Sequence, residues 1–168
     1  MRAPARTATI RLLVLDVDGV LTDGRLYFGA RGETIKVFHV RDGYGIRAVM
    51  AAGISVAVIT GRRSRALTAR CRELGIAHVM QGQNDKLAAL ERLCTRLRIG
   101  LRECACVGDD VVDVPLFAVV GLSFAVADAH PAARRAAHRI TRLPGGAGAV
   151  RELCDLLITA RTRRRRER

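Results

Sequence analysis

The sequence predicts an α/β protein: a doubly wound, Rossmann-like parallel sheet with a β-hairpin inserted after the first strand and no separate cap domain. Three observations carry the expectation. Short, nearly all-apolar runs alternate with amphipathic stretches along the 168 residues, as parallel strands covered on both faces by helices require. Gly53, Gly75 and Gly100 follow three of the amphipathic stretches, where a left-handed C-terminal cap is wanted. Acids, a threonine and a lysine sit just past the apolar runs or at helix starts, the positions where open α/β sheets bind ligands.

The elements follow in order. Residues 11–17 (RLLVLDV) form the first strand. Residues 25–29 and 33–40 flank Ala30-Arg31-Gly32 and read as the inserted hairpin, its mixed faces suited to a flap over a site or an assembly surface. Helices are expected at 44–52, 64–74, 84–98, 111–119 and 131–137, with a last one from 147 to about 160. The strands between them are 55–59, 77–80, 104–107, 122–125 and 138–140. The domain spans residues 11–160, after a basic extension (1–10) and before an Arg-rich tail (161–168).

Composition narrows the function. Apolar residues make up 49% and charged residues 27%, a globular balance. The formal net charge of +13 first suggests nucleic acid. Yet the last eight residues carry +5 and the first eleven +3, leaving +5 for the 149 between them. With two Tyr, four Phe and no Trp there is little to stack bases on, and a nucleic-acid partner loses its main support. No apolar stretch reaches the ~18–20 residues of a membrane span, since Asp16 and Asp18 interrupt the longest candidate. There is no secretory signal pattern. Five cysteines without metal-type spacing read as buried thiols of a cytoplasmic protein.

Four motifs carry chemistry. Asp16 and Asp18 stand two residues apart at the first strand's end, pointing to one side, and Gly19 permits a sharp exit. Acids after an apolar strand are costly unless something positive meets them, although a polar strand exit with capping aspartates would look the same. Thr60-Gly61-Arg62-Arg63-Ser64 enters a helix, where a hydroxyl and free N–H groups suit an oxyanion; Thr and Ser are also ordinary N-caps. Lys86, one of only two lysines among 29 cations, opens the next helix. Its compact charge reaches one phosphoryl oxygen, or simply solvent. Asp109, Asp110 and Asp113 cluster after the fourth main strand and suggest a hard-metal site, or a helix start that favours acids.

Taken together, in this order and at these positions, the motifs resemble the haloacid dehalogenase-like phosphatases. The segments LDVDGVLTDG (15–24), FHVRDGYGI (38–46), ITGRRS (59–64), CVGDDVVDVP (106–115), FAVADAHP (124–131) and GGAGAVRELCDLL (145–157) resemble more narrowly the family of 3-deoxy-D-manno-octulosonate 8-phosphate phosphatases of bacterial lipopolysaccharide synthesis. The resemblance covers about residues 11–160 and omits both basic ends. It implies that Asp16 attacks phosphorus, that Asp18 acts as general acid and then base, and that Thr60 and Lys86 hold phosphoryl oxygens. It implies Mg²⁺ held by Asp16, the Asp18 carbonyl and Asp109, with Asp110 and Asp113 behind them and Asp113 orienting Lys86 or a metal-bound water. Substrate contacts are implied at His39, Arg41, Asp42, Gly43, Arg47, Gly61, Arg62, Arg70 and Lys86, with Arg62 foremost.

Chain spacing leaves no room for a cap domain. Forty-four positions separate Asp16 from Thr60, many used by the hairpin, and twenty-three separate Lys86 from Asp109. The resemblance implies that a homotetramer shelters the site instead, with hairpins meeting at its centre and a neighbour's C-terminal segment helping to close it. Gly145-Gly146-Ala147-Gly148 suits a loop passing close to another backbone. A nine-carbon sialic-acid-like 9-phosphate is an alternative substrate. From other classes, a basic nucleic-acid-associated protein, a polynucleotide-end phosphatase or a non-catalytic subunit remain open.

Overall fold

The computed structural model describes residues 9–30 and 32–166. Its elements are β1 (Leu12–Leu15), β2 (Tyr27–Gly29), β3 (Gly32–Ile35), α1 (Val40–Ala51), β4 (Ser55–Thr60), α2 (Arg65–Leu74), β5 (His78–Gln81), α3 (Lys86–Leu97), β6 (Cys104–Gly108), α4 (Val114–Val119), β7 (Leu122–Ala125), α5 (Pro131–Ala136), β8 (Arg139–Ile140) and α6 (Ala149–Arg166). Six strands form one sheet in the order β5-β4-β1-β6-β7-β8, every pair parallel. The doubly wound α/β expectation holds. The chain leaves β1 for β4 and β5 on one side and returns to β6, β7 and β8 on the other. That reversal opens a crevice at the carboxyl end of β1, where such sheets bind ligands.

Central strands β1, β4 and β6 are covered on both faces, so their apolar runs lack the alternation of a half-exposed strand. Leu15 lies opposite Val58 of β4 and Val107 of β6. The next residue of β1's strand exit, Asp16, therefore emerges beside the ends of both neighbours. All five cysteines are free and buried, consistent with core thiols.

The hairpin is a separate antiparallel pair, β2 with β3. Its second strand stops at Ile35 instead of running to residue 40, and α1 begins at Val40 instead of 44. His39 accounts for the difference: its ring accepts the Arg41 N–H at 3.2 Å and caps the helix. Weak helix formers Gly43 and Gly45 sit inside α1 because Arg70, and Arg151 with Cys154 of α6, press against them. The expected helix over 111–119 divides into a 3₁₀ turn, Val111–Asp113, and α4.

Gly75 caps α2 in the left-handed conformation as expected. After α3 that role falls to Arg98, at φ 53°, and not to Gly100. The helix ends earlier than the sequence suggested because the Ile99 N–H bonds back to the Cys94 carbonyl and Ile99 enters the core. At the C-terminus α6 continues past residue 160 to Arg166, and Arg161 donates to the Ile10 carbonyl at 3.4 Å. Ile10, assigned by sequence to the extension, is itself buried. Residues 1–8 of the extension and 167–168 of the tail lie outside the described residues. Among the described residues no helix is long and apolar enough to cross a membrane.

Candidate active site

The crevice is built around one lysine and three acids. Lys86, the first residue of α3, places Nζ 3.0 Å from Asp16 Oδ1 and 2.7 Å from Asp113 Oδ1. The other Asp113 oxygen accepts the N–H groups of Asp109 (3.0 Å) and Asp110 (3.3 Å), which pins the loop after β6. Gly108 has no room for a Cβ because the Asp113 carboxyl group occupies that space. Gly19, at φ 87°, likewise lets the Asp16–Asp18 loop come against the Asp109 carboxylate.

Carboxylate oxygens of Asp16, Asp109 and Asp113 lie within 4.8 Å of one another. Burial, with Asp113 nearby, pushes the Asp16 carboxyl up to about 6 despite Lys86. Burial, then the charges of Asp16 and Asp113, pushes Asp109 up to about 8. Burial opposes the charge on Lys86, but Asp16 and Asp113 outweigh it and raise its pKa. Three acids against one lysine leave negative charge uncompensated in a poorly solvated place. The all-oxygen donor set fits a hard divalent cation such as Mg²⁺.

Thr60 ends β4 fully inside the structure and accepts the Arg62 N–H at 3.4 Å, while its carbonyl accepts Gln83 N–H. Gly61 beside it is exposed. Arg62 turns back to the acids, with Nε 3.7 Å from Asp18 Oδ2. Two residues that sequence reasoning passed over join them. Lys36 contacts Asp18 Oδ1 and lies 3.3 Å from Glu33, and Arg62 Nη2 also lies 3.3 Å from Glu33. The available signal was lysine scarcity, which marks Lys36 as much as Lys86.

The remaining expected residues fall elsewhere. His39, Asp42, Gly43 and Arg70 line a separate small pocket with Leu21 and Phe38. Asp42 is buried, accepts the Arg151 N–H at 2.7 Å, and so caps α6; its other oxygen has no hydrogen-bond partner among the described residues, and burial raises its pKa. Arg70 pairs with Glu73 at 2.9 Å. Arg41 and Arg47 are exposed on α1, and Asp110 is exposed and caps the 3₁₀ turn through the Val111 N–H. The glycine loop makes the close backbone approach expected of it, to this chain's own loop: a Cβ at Gly145 or Gly146 would run into residues 19–23.

A nucleophile-capable acid at β1, a threonine at β4, a lysine opening α3 and acids after β6, all at one end of a parallel sheet, define a haloacid dehalogenase-like hydrolase. A family model of that description matches residues 72–152. The chain is 54% identical to the 3-deoxy-D-manno-octulosonate 8-phosphate phosphatase of Yersinia pestis, over 92% of this chain and 83% of that protein. It superposes on the Yersinia pestis crystal structure with a TM-score of 0.91 at 53% identity, covering 94% of this chain and 85% of that one. A structure of the same phosphatase from Moraxella catarrhalis, in complex with magnesium ion, phosphate ion and KDO molecule, gives 0.91 at 41% identity, covering 94% and 90%. This chain belongs to the 3-deoxy-D-manno-octulosonate 8-phosphate phosphatase family.

Proposed function

We infer that this chain is a Mg²⁺-dependent phosphatase that hydrolyses 3-deoxy-D-manno-octulosonate 8-phosphate to the free acid sugar and phosphate. The observation that carries the reading is Lys86 bridging Asp16 and Asp113 beside Asp109, in a family member with this overall likeness to the Yersinia pestis enzyme. Asp16, the Asp18 carbonyl and Asp109 would hold the cation. When bound, it lets an anionic carboxylate meet an anionic phosphate and offsets the charge that spreads in transfer.

Lys86 holds Asp16 so that one carboxylate oxygen faces the phosphate. That oxygen bonds to phosphorus as the bond to the sugar's O8 breaks, and Asp18 gives its proton to the departing oxygen. Asp18, now a carboxylate, takes a proton from a water that attacks phosphorus, releasing phosphate and restoring Asp16. Thr60 and Lys86 hold phosphoryl oxygens, and Arg62 offers a planar fork to the sugar's carboxylate. His39, Arg41, Asp42, Gly43, Arg47, Gly61 and Arg70 complete the sugar's surroundings in this reading.

An aspartyl-phosphate needs shelter from bulk water, and no cap domain lies among the described residues. The hairpin exposes Leu26, Tyr27, Phe28, Ile35 and Val37, an apolar surface that supports a homotetramer with the hairpins at its centre. The reading includes a cytoplasmic location, in keeping with buried free thiols. Phosphate release from the eight-carbon 8-phosphate and from a nine-carbon sialic-acid-like 9-phosphate, each with and without Mg²⁺, tests the function. Turnover of the first well above the second, and only with metal, is expected; equal turnover would remove the substrate assignment.

A further inference from the structure

The hairpin carries a cation that has no part in the catalytic scheme above. The Lys36 side chain is 2% exposed although it belongs to the segment just after β3, on an otherwise exposed projection. Burying an ammonium is costly unless partners meet it. Here the partners are Asp18 Oδ1 and, at 3.3 Å, Glu33 Oε2. Glu33 Oε2 also takes Arg62 Nη2 at 3.3 Å, and Arg62 Nε faces the second Asp18 oxygen at 3.7 Å. Arg62 in turn lies over the Phe28 ring, 5.7 Å from its centre. Two acids and two cations thus close a ring in which each Asp18 oxygen has its own cation, and Glu33, Lys36 and the stacked Phe28 all come from the hairpin or the residue just after it.

We propose that Lys36 is a positioning residue for proton transfer at Asp18, with Glu33 setting the places of both Lys36 and Arg62. This rests on the phosphatase reading above. A carboxyl group that must serve first the departing sugar oxygen and then the attacking water needs one fixed orientation through both steps. Asp18 stands on a loop with no backbone donor to its side chain among the described residues, so the hairpin supplies the restraint from across the crevice. The Arg62 side chain is 40% exposed, and if it turned toward an incoming anion it would leave the second Asp18 oxygen to carry the proton. Lys36 is enclosed and stays.

A latch that merely fastens the hairpin to the domain would use the same contacts, and the leaving group separates the two roles. A sugar alkoxide needs a proton as it departs, whereas p-nitrophenolate does not. Lys36→Met is expected to lower kcat on the sugar phosphate by about 10- to 100-fold, with KM changed little. Its loss on p-nitrophenyl phosphate should be several-fold smaller, and Lys36→Arg should recover most of the sugar-phosphate rate. Glu33→Gln should show the same leaving-group dependence more weakly, and it serves where Lys36→Met does not fold. Equal losses on both substrates, or no loss, would overturn the proposal. If the wild type leaves the sugar phosphate uncleaved, the substrate reading falls instead. Phenyl phosphate, a poorer leaving group than p-nitrophenyl phosphate, then gives the same comparison for Lys36.

Discussion

Lys86 faces Asp16 and Asp113 at 3.0 and 2.7 Å where all three side chains are nearly closed off from solvent. Removing one partner of a buried set leaves charge without compensation, a cost of ~3–5 kcal/mol. Lys86→Met should therefore lower unfolding stability by about that amount near neutral pH, read from urea midpoints, as well as abolish turnover. Asp16→Asn keeps the shape but removes the proposed nucleophile, and a loss of at least ~10³ in kcat is expected with the fold intact by circular dichroism. Metal-free protein should show a distinctive pH dependence. The folded Asp16 and Asp109 hold protons up to about 6 and about 8, whereas an unfolded aspartate loses its proton near ~4. Their contribution is complete below that unfolded value and is lost as pH rises through 6 toward 8. Tm in chelator should fall across this window, and added Mg²⁺ should flatten the fall by favouring the ionised acids. A chelated Tm that rises over the same window would contradict the buried, uncompensated cluster.

Asp42 shows how one residue can serve an element as well as the substrate contact proposed for it. Its carboxylate caps α6 through the Arg151 N–H and is buried beneath the α1–α6 contact. Asp42→Ala should cost ~1–2 kcal/mol by urea unfolding, the worth of a lost helix cap. The substrate contact proposed for Asp42 should show in the same variant as a raised KM. The strand ends were legible because a polar group directly after a buried apolar run is costly unless a partner or ligand meets it, so Asp16, Thr60 and Asp109 stand out by position, whereas Lys86 stands out only as a rare lysine opening a helix. Helix starts were less so: His39 reads as a ligand residue with no sign that its ring also caps α1, and Gly43 and Gly45 hide a helix that packing imposes. Glu33 left no trace and Lys36 only its rarity as a lysine, since their meeting with Asp18 and Arg62 depends on where the hairpin folds back. Gly145 was marked as a close-approach glycine, but which backbone it approaches is a fact of tertiary structure. Its partner is the Gly19 carbonyl on the catalytic loop.

The charge of the whole molecule has the same two-part character as its function. Its ends carry more than half of the +13, while the body sets one lysine against three acids in the crevice. In the proposed tetramer the assembly would shelter that crevice, since the hairpin spends its polar groups inward on Asp18 and turns its apolar ones outward. Tyr27 and Ile35 pair across the hairpin and are 40% and 57% exposed, and neither belongs to the ring around Lys36. A charge placed at Ile35 would be solvated in a monomer but would have to be desolvated at the centre of a tetramer. Ile35→Asp should thus leave the monomer's unfolding stability within ~0.5 kcal/mol of wild type, as surface changes usually do. It should also shift sedimentation from a tetramer to smaller species. If neighbouring hairpins exclude water from the aspartyl-phosphate, kcat should fall along with the tetramer fraction and recover with protein concentration. A monomeric variant with full turnover at every concentration would show that each chain shelters its own site, and a wild-type chain that sediments as a monomer would remove the assembly altogether.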